Sequence, residues 1–456
     1  MIKKRFPILE LDTCVKAQRF KVNYSVIKKN ELDLVDEHVL RLLNLGSFTA
    51  RDLATFFGFD ARETQTALHD FISRNEVSQT QDGYLRLTQE GMKYFKGGLD
   101  DPFIKAIAEY SASLCFELIE FRPLGVDENP DNSDKGFNAI TLDVPPEHVS
   151  ESERHVEEKF KRMFRELLEK NMLGVNFGKY GTDIDLYMVK SVYKYSDTFL
   201  RRTETFELDS EAGRIEKCLT PKYEEPEAYT QKLHEQLRYK SGRSNIKDVI
   251  AFADSINDEF VLDLLTDGSL NIQRLAQWLV DDNREGGVIF AGGLNLTENR
   301  KKVLDAIDEA LQGIDTAQQE QLPEMCLLLS SDSFNLYSKE YYSTLIEVAN
   351  HQTVPGDNKA RCKTTIFYPT GRRRQLPRAA NFLEKQINGS VEAFEETEVL
   401  SPIEAIILEQ RLAIVIYHIK DPERSDVPVP VGFITTDNDQ VHVITERIRQ
   451  HKYEDE

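Results

Sequence analysis

The feature that most constrains this chain is a series of short apolar runs between residues 286 and 456. VIFA precedes the helical pattern of LTENRKKVLDAIDEAL, MCLLLSSD precedes YSKEYYSTLIEVANH, and KTTIFYP precedes LPRAANFLEKQI. VEAFEE then leads into AIILEQRLAIVIYHIK, VPVGFITTD and a last helical stretch, VHVITERIRQ. Apolar runs of about four to eight residues, bounded by turn formers, read as strands, and the longer periodic stretches between them as helices. Strands that alternate with helices and close in a hairpin define an α/β sheet sandwiched by helices.

The remaining 285 residues need at least one more folding unit, since 456 residues correspond to about two to four domains. At 40% hydrophobic and 30% charged residues the composition is that of a soluble globular protein. No apolar run approaches the roughly 18 residues that cross a bilayer, so no membrane partner is expected. In MIKKRFPILELD the acids Glu10 and Asp12 cut the apolar stretch too early for a signal peptide. Five scattered cysteines, Cys14, Cys115, Cys218, Cys326 and Cys362, suit a reducing cytoplasm rather than a disulfide framework or a zinc ribbon. The net charge of −21 opposes a large nucleic-acid footprint. Residues 1–96, with 15 Lys and Arg against 13 Asp and Glu, are the least repelled part.

Residues 1–33 read as a basic lead, and residues 34–98 as a compact unit. LVDEHVLRLLNLG forms a helix ending at Gly46. TARDLATFFG follows, capped by Thr49 and burying Leu53, Phe56 and Phe57. DARETQTALHDFISRNE is capped by Asp60 and buries Leu68, Phe71 and Ile72. Two short strands about Asp82-Gly83 and a closing helix complete the unit. Three helices followed by a hairpin resemble the winged helix-turn-helix, whose third helix enters the DNA major groove. With the apolar residues inward, Arg62, Gln65, Thr66 and His69 share the exposed face. Arg reads guanine and Gln reads adenine through paired hydrogen bonds.

Residues 101–245 read as an α+β middle domain. It comprises strands SLCFELIEF and FNAITLDV, an amphipathic helix over ESERHVEEKFKRMFRELLEK, and a meander of DIDLYMVKSVYKY, FLRRTETFELD and GRIEKCL. Residues 246–285 read as a helical connector, and residues 286–456 as the α/β domain.

IVIYHIKDPERSD, residues 414–426, places His418-x-Lys420 on a strand near the end of that domain. The β-α order with a His-x-Lys strand resembles the phospholipase D-like domain, and a winged helix ahead of such a domain is similar in layout to TrmB-type transcription regulators. That resemblance implies His418 as nucleophile, Lys420 as phosphate ligand and Asp426 as the acid. The pattern departs from the family beyond the lysine. Ser425 stands where the aspartate belongs, Asp426 comes one residue late, and Gly432-Phe433 replaces Gly-Ser with no asparagine following. A non-catalytic, degenerate domain is therefore expected; a homodimeric His-Lys-Asp phosphodiesterase is the alternative.

Asp183-x-Asp185 with Glu216 has an echo of a two-aspartate magnesium site, but Lys179 follows Gly178 and the spacing is short, so a solvated strand edge is expected. TGRRRQLPR gathers Arg372, Arg373, Arg374 and Arg378 before a helix, where guanidinium groups can clamp phosphate or an acidic partner. No HExxH, P-loop or Cys/His metal spacing occurs, and no cofactor or metal is expected. The sequence thus describes a multidomain α/β and α+β protein of the cytoplasm, DNA-associated and non-catalytic. Its role would be in transcription regulation or as an accessory subunit of an antiviral-defence complex, with duplex DNA and a protein partner or second copy as partners; a protein-docking scaffold is the other alternative.

Overall fold

The computed structural model describes residues 5–30, 32–95, 104–125, 128, 138–175, 184–218, 227–281, 288–312, 322–351, 360–371 and 375–453. The described residues form a mixed α/β protein with three sheets. The first described element is β1 (Arg5–Asn30), a strand of 26 residues that takes up most of the stretch expected as a basic lead. There follow α1 (Leu34–Leu45), β2 (Phe48–Thr49), α2 (Ala50–Phe57), α3 (Ala61–Ser73), β3 (Val77–Gln79) and β4 (Tyr84–Leu87). The closing helix expected after β4 is only a 3-10 turn, Gly91–Phe95. Leu53, Leu68 and Phe71 are buried with Val39, Leu40 and Leu43 in one small core, and β2-β4-β3 form a three-stranded sheet. Phe56 and Ile72, expected inside, are 68% and 44% exposed. A unit this small has one core, and Leu53, Leu68 and Phe71 already fill it.

The next elements are β5 (Ile104–Glu117), β6 (Ile140–Leu142), α4 (Pro146–Ser150), α5 (Ser152–Glu169), β7 (Asp185–Asp209) and β8 (Arg214–Lys217). The expected meander of three strands has merged: DIDLYMVKSVYKY and FLRRTETFELD run on as the single strand β7. No Gly or Pro separates them, and bulges along β7 absorb the irregularity instead. β1 is the central strand of the order β5-β1-β7-β8, antiparallel to β5 and β7, with β6 parallel to its middle. Because Asn30 pairs with Ile104, the α1–β4 unit is set in at the turn of the β1/β5 hairpin. β1 also spans two cores. Ile8, Leu9, Leu11 and Val15 pack toward the C-terminal sheet, and Phe20, Val22, Tyr24 and Val26 pack under α5 with Phe160 and Phe164.

Four helices follow, α6 (Glu227–Ser241) and then, within the stretch expected as a helical connector, α7 (Ile246–Ser255), α8 (Glu259–Leu264) and α9 (Ile272–Asp281). Then come β9 (Val288–Ala291), α10 (Thr297–Leu311), β10 (Glu324–Leu328), α11 (Lys339–Asn350), β11 (Lys363–Pro369), α12 (Arg378–Glu384), β12 (Gly389–Phe394), β13 (Ile403–Leu408), β14 (Leu412–Ile419), β15 (Val429–Thr435) and α13 (Asn438–Tyr453). The sheet is mixed, in the order β12-β11-β10-β13-β14-β15-β9: β10, β11 and β12 are parallel and the other neighbours antiparallel. Strand alternation sorts its side chains. Ala413, Val415, Tyr417 and Ile419 of β14 face α7, α8 and α13, whereas Leu412, Ile414 and Ile416 face α10 and α11. Every residue of β13, β14 and β15 is buried, which is why these strands read as continuous apolar runs.

Candidate functional site

Two groups of residues bring together most of the side chains expected to matter. On α3, Asp60 accepts hydrogen bonds from the backbone N–H groups of Arg62 (2.8 Å) and Glu63 (2.7 Å), and Glu63 accepts from the Asp60 N–H (2.9 Å). This capping box fixes the start of the helix and engages the Glu63 carboxylate. Arg62, Gln65, Thr66 and His69 are all exposed on α3, as the helical period requires. The Thr66 hydroxyl donates to the Arg62 carbonyl at 2.9 Å, so it is partly committed to its own helix. α2 enters on a second capping box, Thr49 with Asp52, and the hydrogen bonds from Thr49 hold the Asp52 carboxyl below its usual range. Gly58 leaves α2 with φ 71°, a left-handed conformation that glycine adopts without strain. The turn it makes presents an aromatic row, with Phe56 and Phe57 at 5.0 Å and Phe57 and Phe59 at 5.3 Å between ring centres.

The second group surrounds the end of β14. Tyr417 points toward α8, its hydroxyl donating to Asp258 (2.9 Å), so His418 points to the opposite face. His418 is 0% exposed, and its Nε2 lies 2.7 Å from Oε2 of Glu404 on β13. Oε1 of Glu404 accepts the Tyr341 hydroxyl at 2.6 Å, and burial, followed by the Glu404 charge, pushes the Tyr341 pKa well up. Lys420 Nζ meets Asp332 Oδ1 at 2.5 Å. Asn245 ties these together: its amide donates to the His418 carbonyl (2.8 Å) and to Asp332 (2.7 Å) and accepts from the Lys420 N–H (2.8 Å).

Asp426 is elsewhere. It holds His234 Nδ1 (2.8 Å) and Arg238 Nε (2.6 Å) of α6, beside a cleft of about 510 Å³ that Gln231 and Glu235 also line. The nearer acid, Asp421, accepts from Ser269 Oγ (2.8 Å) and the Leu270 N–H (2.9 Å). His418, Lys420 and Asp426 therefore each have their own protein partner, and they do not converge on a common point.

Several members of this group have no motif that announces them. Glu404 has the clearest signal, a lone acid inside the apolar run IEAIIL. Asn295 and Asn335 are buried, and their side-chain amides find no partner among the described residues; His418 Nδ1 is likewise unpaired. A Cβ on Gly293 would stand 2.5 Å from Asn335 Oδ1 and 2.6 Å from Asn295 Oδ1, so a larger residue there would push these amides aside.

Arg372, Arg373 and Arg374 lie outside the described residues, and Arg378 is exposed at the first position of α12. Asp183 is also outside them, while Asp185 is exposed and paired with Arg165 at 3.1 Å and Glu216 is paired with Arg214. Among the described residues no three His, Cys, Asp or Glu side chains gather as metal ligands, and no helix is long and apolar enough to cross a membrane.

No protein-family model matches the chain, and no curated protein matches it. Among solved structures it is similar to Nuc, a phospholipase D family member from Salmonella typhimurium, at 10% identity, covering 36% of this chain and 93% of that one with a TM-score of 0.23. NucT from Helicobacter pylori aligns at 12% identity over 36% of this chain and 94% of that one, TM-score 0.21. TrmBL2, an archaeal chromatin protein with a novel mode of DNA binding, aligns at 12% identity over 92% of both chains, TM-score 0.23. Likenesses this distant assign no activity and no ligand to this chain.

Proposed function

We propose that the chain is a non-catalytic, DNA-associated protein that acts as a regulator or as an accessory subunit of a larger complex. Residues 34–98 serve as a winged helix, and α3 enters the major groove. The observation that carries this reading is the single exposed face of α3, where Arg62, Gln65 and His69 stand clear of the core beside a capped helix N-terminus. Residues 34–95 hold six Lys and Arg against nine Asp and Glu, so attraction to phosphate is weak and binding is expected at low salt only. The Arg372–Arg374 run with Arg378 supplies a second phosphate contact in this reading. The buried ring of His418, held by Glu404, leaves no open face for a phosphodiester to approach, which speaks against the phosphodiesterase alternative.

A second reading, docking of a protein, has its own observation in the Phe56, Phe57 and Phe59 row and in Leu45, which is 82% exposed. Fluorescence anisotropy of the full chain with mixed-sequence duplex at low salt separates the two. DNA reading by α3 predicts binding that Arg62→Ala/Gln65→Ala weakens at least several-fold. Binding unchanged in that variant removes α3 as the reading helix, and no binding at any salt favours docking.

A further inference from the structure

α5 covers one face of the long sheet β5-β1-β7. Phe20, Val22, Tyr24 and Val26 of β1 pack beneath it, so alternation turns Arg19, Lys21, Asn23 and Ser25 to the opposite face. There the floor is small and polar: Asn23 pairs with Ser111 of β5 and Lys21 with Ser113, and Lys21 and both serines are exposed. The wall along β7 is aromatic. Tyr187, Tyr193 and Tyr195 are 54%, 56% and 55% exposed.

β7 is shaped to hold these rings out. Its register against β1 shifts three times between Arg19 and Val26, and the residues left over at the shifts are Tyr195, Lys190 and Tyr187. A bulge re-aims a side chain, and each of these re-aims a ring or a cation. Lys190 reaches across β1 to an ion pair with Glu109 of β5, which sets it on the face away from α5. Protection of an outer strand accounts for bulges and lysines, but not for three large rings left in water.

Charge points the same way. Residues 19–30, 104–115 and 185–196 hold seven Lys and Arg against two Asp and Glu, in a chain of net charge −21. Both acids are engaged, Glu109 by Lys190 and Asp185 by Arg165 of α5. A basic strip in an acidic protein selects an anion. Rings in a row beside cations suit a polymer of flat faces and phosphates, in which bases stack on tyrosines and the backbone follows the lysines. A duplex does not suit it, because its base faces are already stacked on one another.

We propose that this open face of β5-β1-β7 binds single-stranded nucleic acid, with Tyr193 and Tyr195 as stacking platforms and Lys21 as a phosphate contact. Positions two apart on a strand are separated by roughly 6–7 Å, so the two rings serve successive bases. The proposal rests on this sheet alone and is independent of α3.

The test is fluorescence anisotropy of the full chain with a labelled oligothymidylate of about 15 nucleotides, which fills one such site and cannot pair with itself. Wild type is expected to bind at low salt. Tyr193→Ala/Tyr195→Ala should weaken binding about tenfold or more, and Tyr193→Phe/Tyr195→Phe less than about threefold, because the phenyl ring keeps the stacking face. Lys21→Glu should weaken it and flatten its salt dependence. These side chains are exposed, so each variant should keep the circular dichroism spectrum of wild type. Arg62→Ala/Gln65→Ala, which probes α3, should leave oligothymidylate binding unchanged. No binding by wild type overturns the proposal, as does binding that the alanine pair leaves intact. Equal losses in the phenylalanine and alanine pairs, or loss in the α3 variant, overturn it as well. So does displacement by polyglutamate as readily as by unlabelled oligothymidylate, which would make the face a dock for acidic protein.

Discussion

His418 and Glu404 form a fully buried pair on neighbouring strands of the central sheet, Nε2 to Oε2 at 2.7 Å, with the second carboxylate oxygen taken by Tyr341. A pair so enclosed serves the fold. Removing one member leaves the other buried without its counterpart, which costs about 3–5 kcal/mol.

His418→Ala is therefore expected to lower unfolding stability by about 3 kcal/mol in urea titration, and to leave the affinity of the folded protein for duplex DNA unchanged. Lys420→Ala should be milder, about 1–2 kcal/mol, because Asp332 keeps Asn245 and retains some contact with water. A stable His418→Ala protein that has lost a cellular function would instead mark the imidazole as chemically active.

Asn245 holds both backbone ends of the His418–Lys420 segment from outside the sheet. Asn245→Ala strips a buried carbonyl and a buried N–H of partners, so a loss of roughly 2–3 kcal/mol is expected. Asn245→Asp should be no better, since the charge replaces a donor and sits beside Asp332. Thermal denaturation of the two variants checks the order.

What the sequence showed and what it concealed follow from the distance between partners. Alternating strands and helices from Val288 onward were legible because each element carries its own period. α3 and its cap were legible for the same reason, as Asp60 and Glu63 lie within one turn of what they hold. β1 was not. It carries charges along its length, and its partners β5 and β7 lie some 90 and 180 residues away, so nothing local distinguishes it from a basic tail. The His418 network was hidden likewise, with Asp332 and Asn245 far upstream in the chain. Phe56 and Ile72 mark the opposite limit: helical period assigns a face, but the size of the core decides how much of that face is buried.

Glu128 receives both Nη atoms of Arg122 at 2.7 Å and Nη2 of Arg202 at 2.9 Å. Burial alone would raise its carboxyl; the hydrogen bonds from the two guanidinium groups outweigh it and hold the value below 4.5. A lowered carboxyl contributes stability that is fully present above the unfolded value and is lost as pH falls through the folded one. Glu128→Gln should thus cost on the order of 3 kcal/mol at pH 7. The gap to wild type should narrow below pH 4.5, as wild type alone loses the ionised pair. Parallel denaturation curves across pH 7 to 3 read this directly, and a gap independent of pH would remove the ion pair as its cause.

Charge on the α3 face gives the last prediction. Asp70 is exposed one residue from His69, where a bound phosphate backbone would pass, and its side chain makes no hydrogen bond among the described residues beyond those of its own backbone carbonyl. Glu63 also repels phosphate, but it is half of the capping box and cannot be changed without loosening the helix start. Asp70→Asn removes a negative charge with no cap at stake. It should strengthen duplex binding about three- to tenfold at low salt, with an advantage that shrinks as the Debye length falls. Arg372, Arg373 and Arg374 changed together to Glu should act in the opposite sense, weakening binding without shifting the thermal midpoint. Anisotropy titrations at two salt concentrations measure both. Equal affinity of Asp70→Asn and wild type at low salt would place bound DNA on a face other than that of α3.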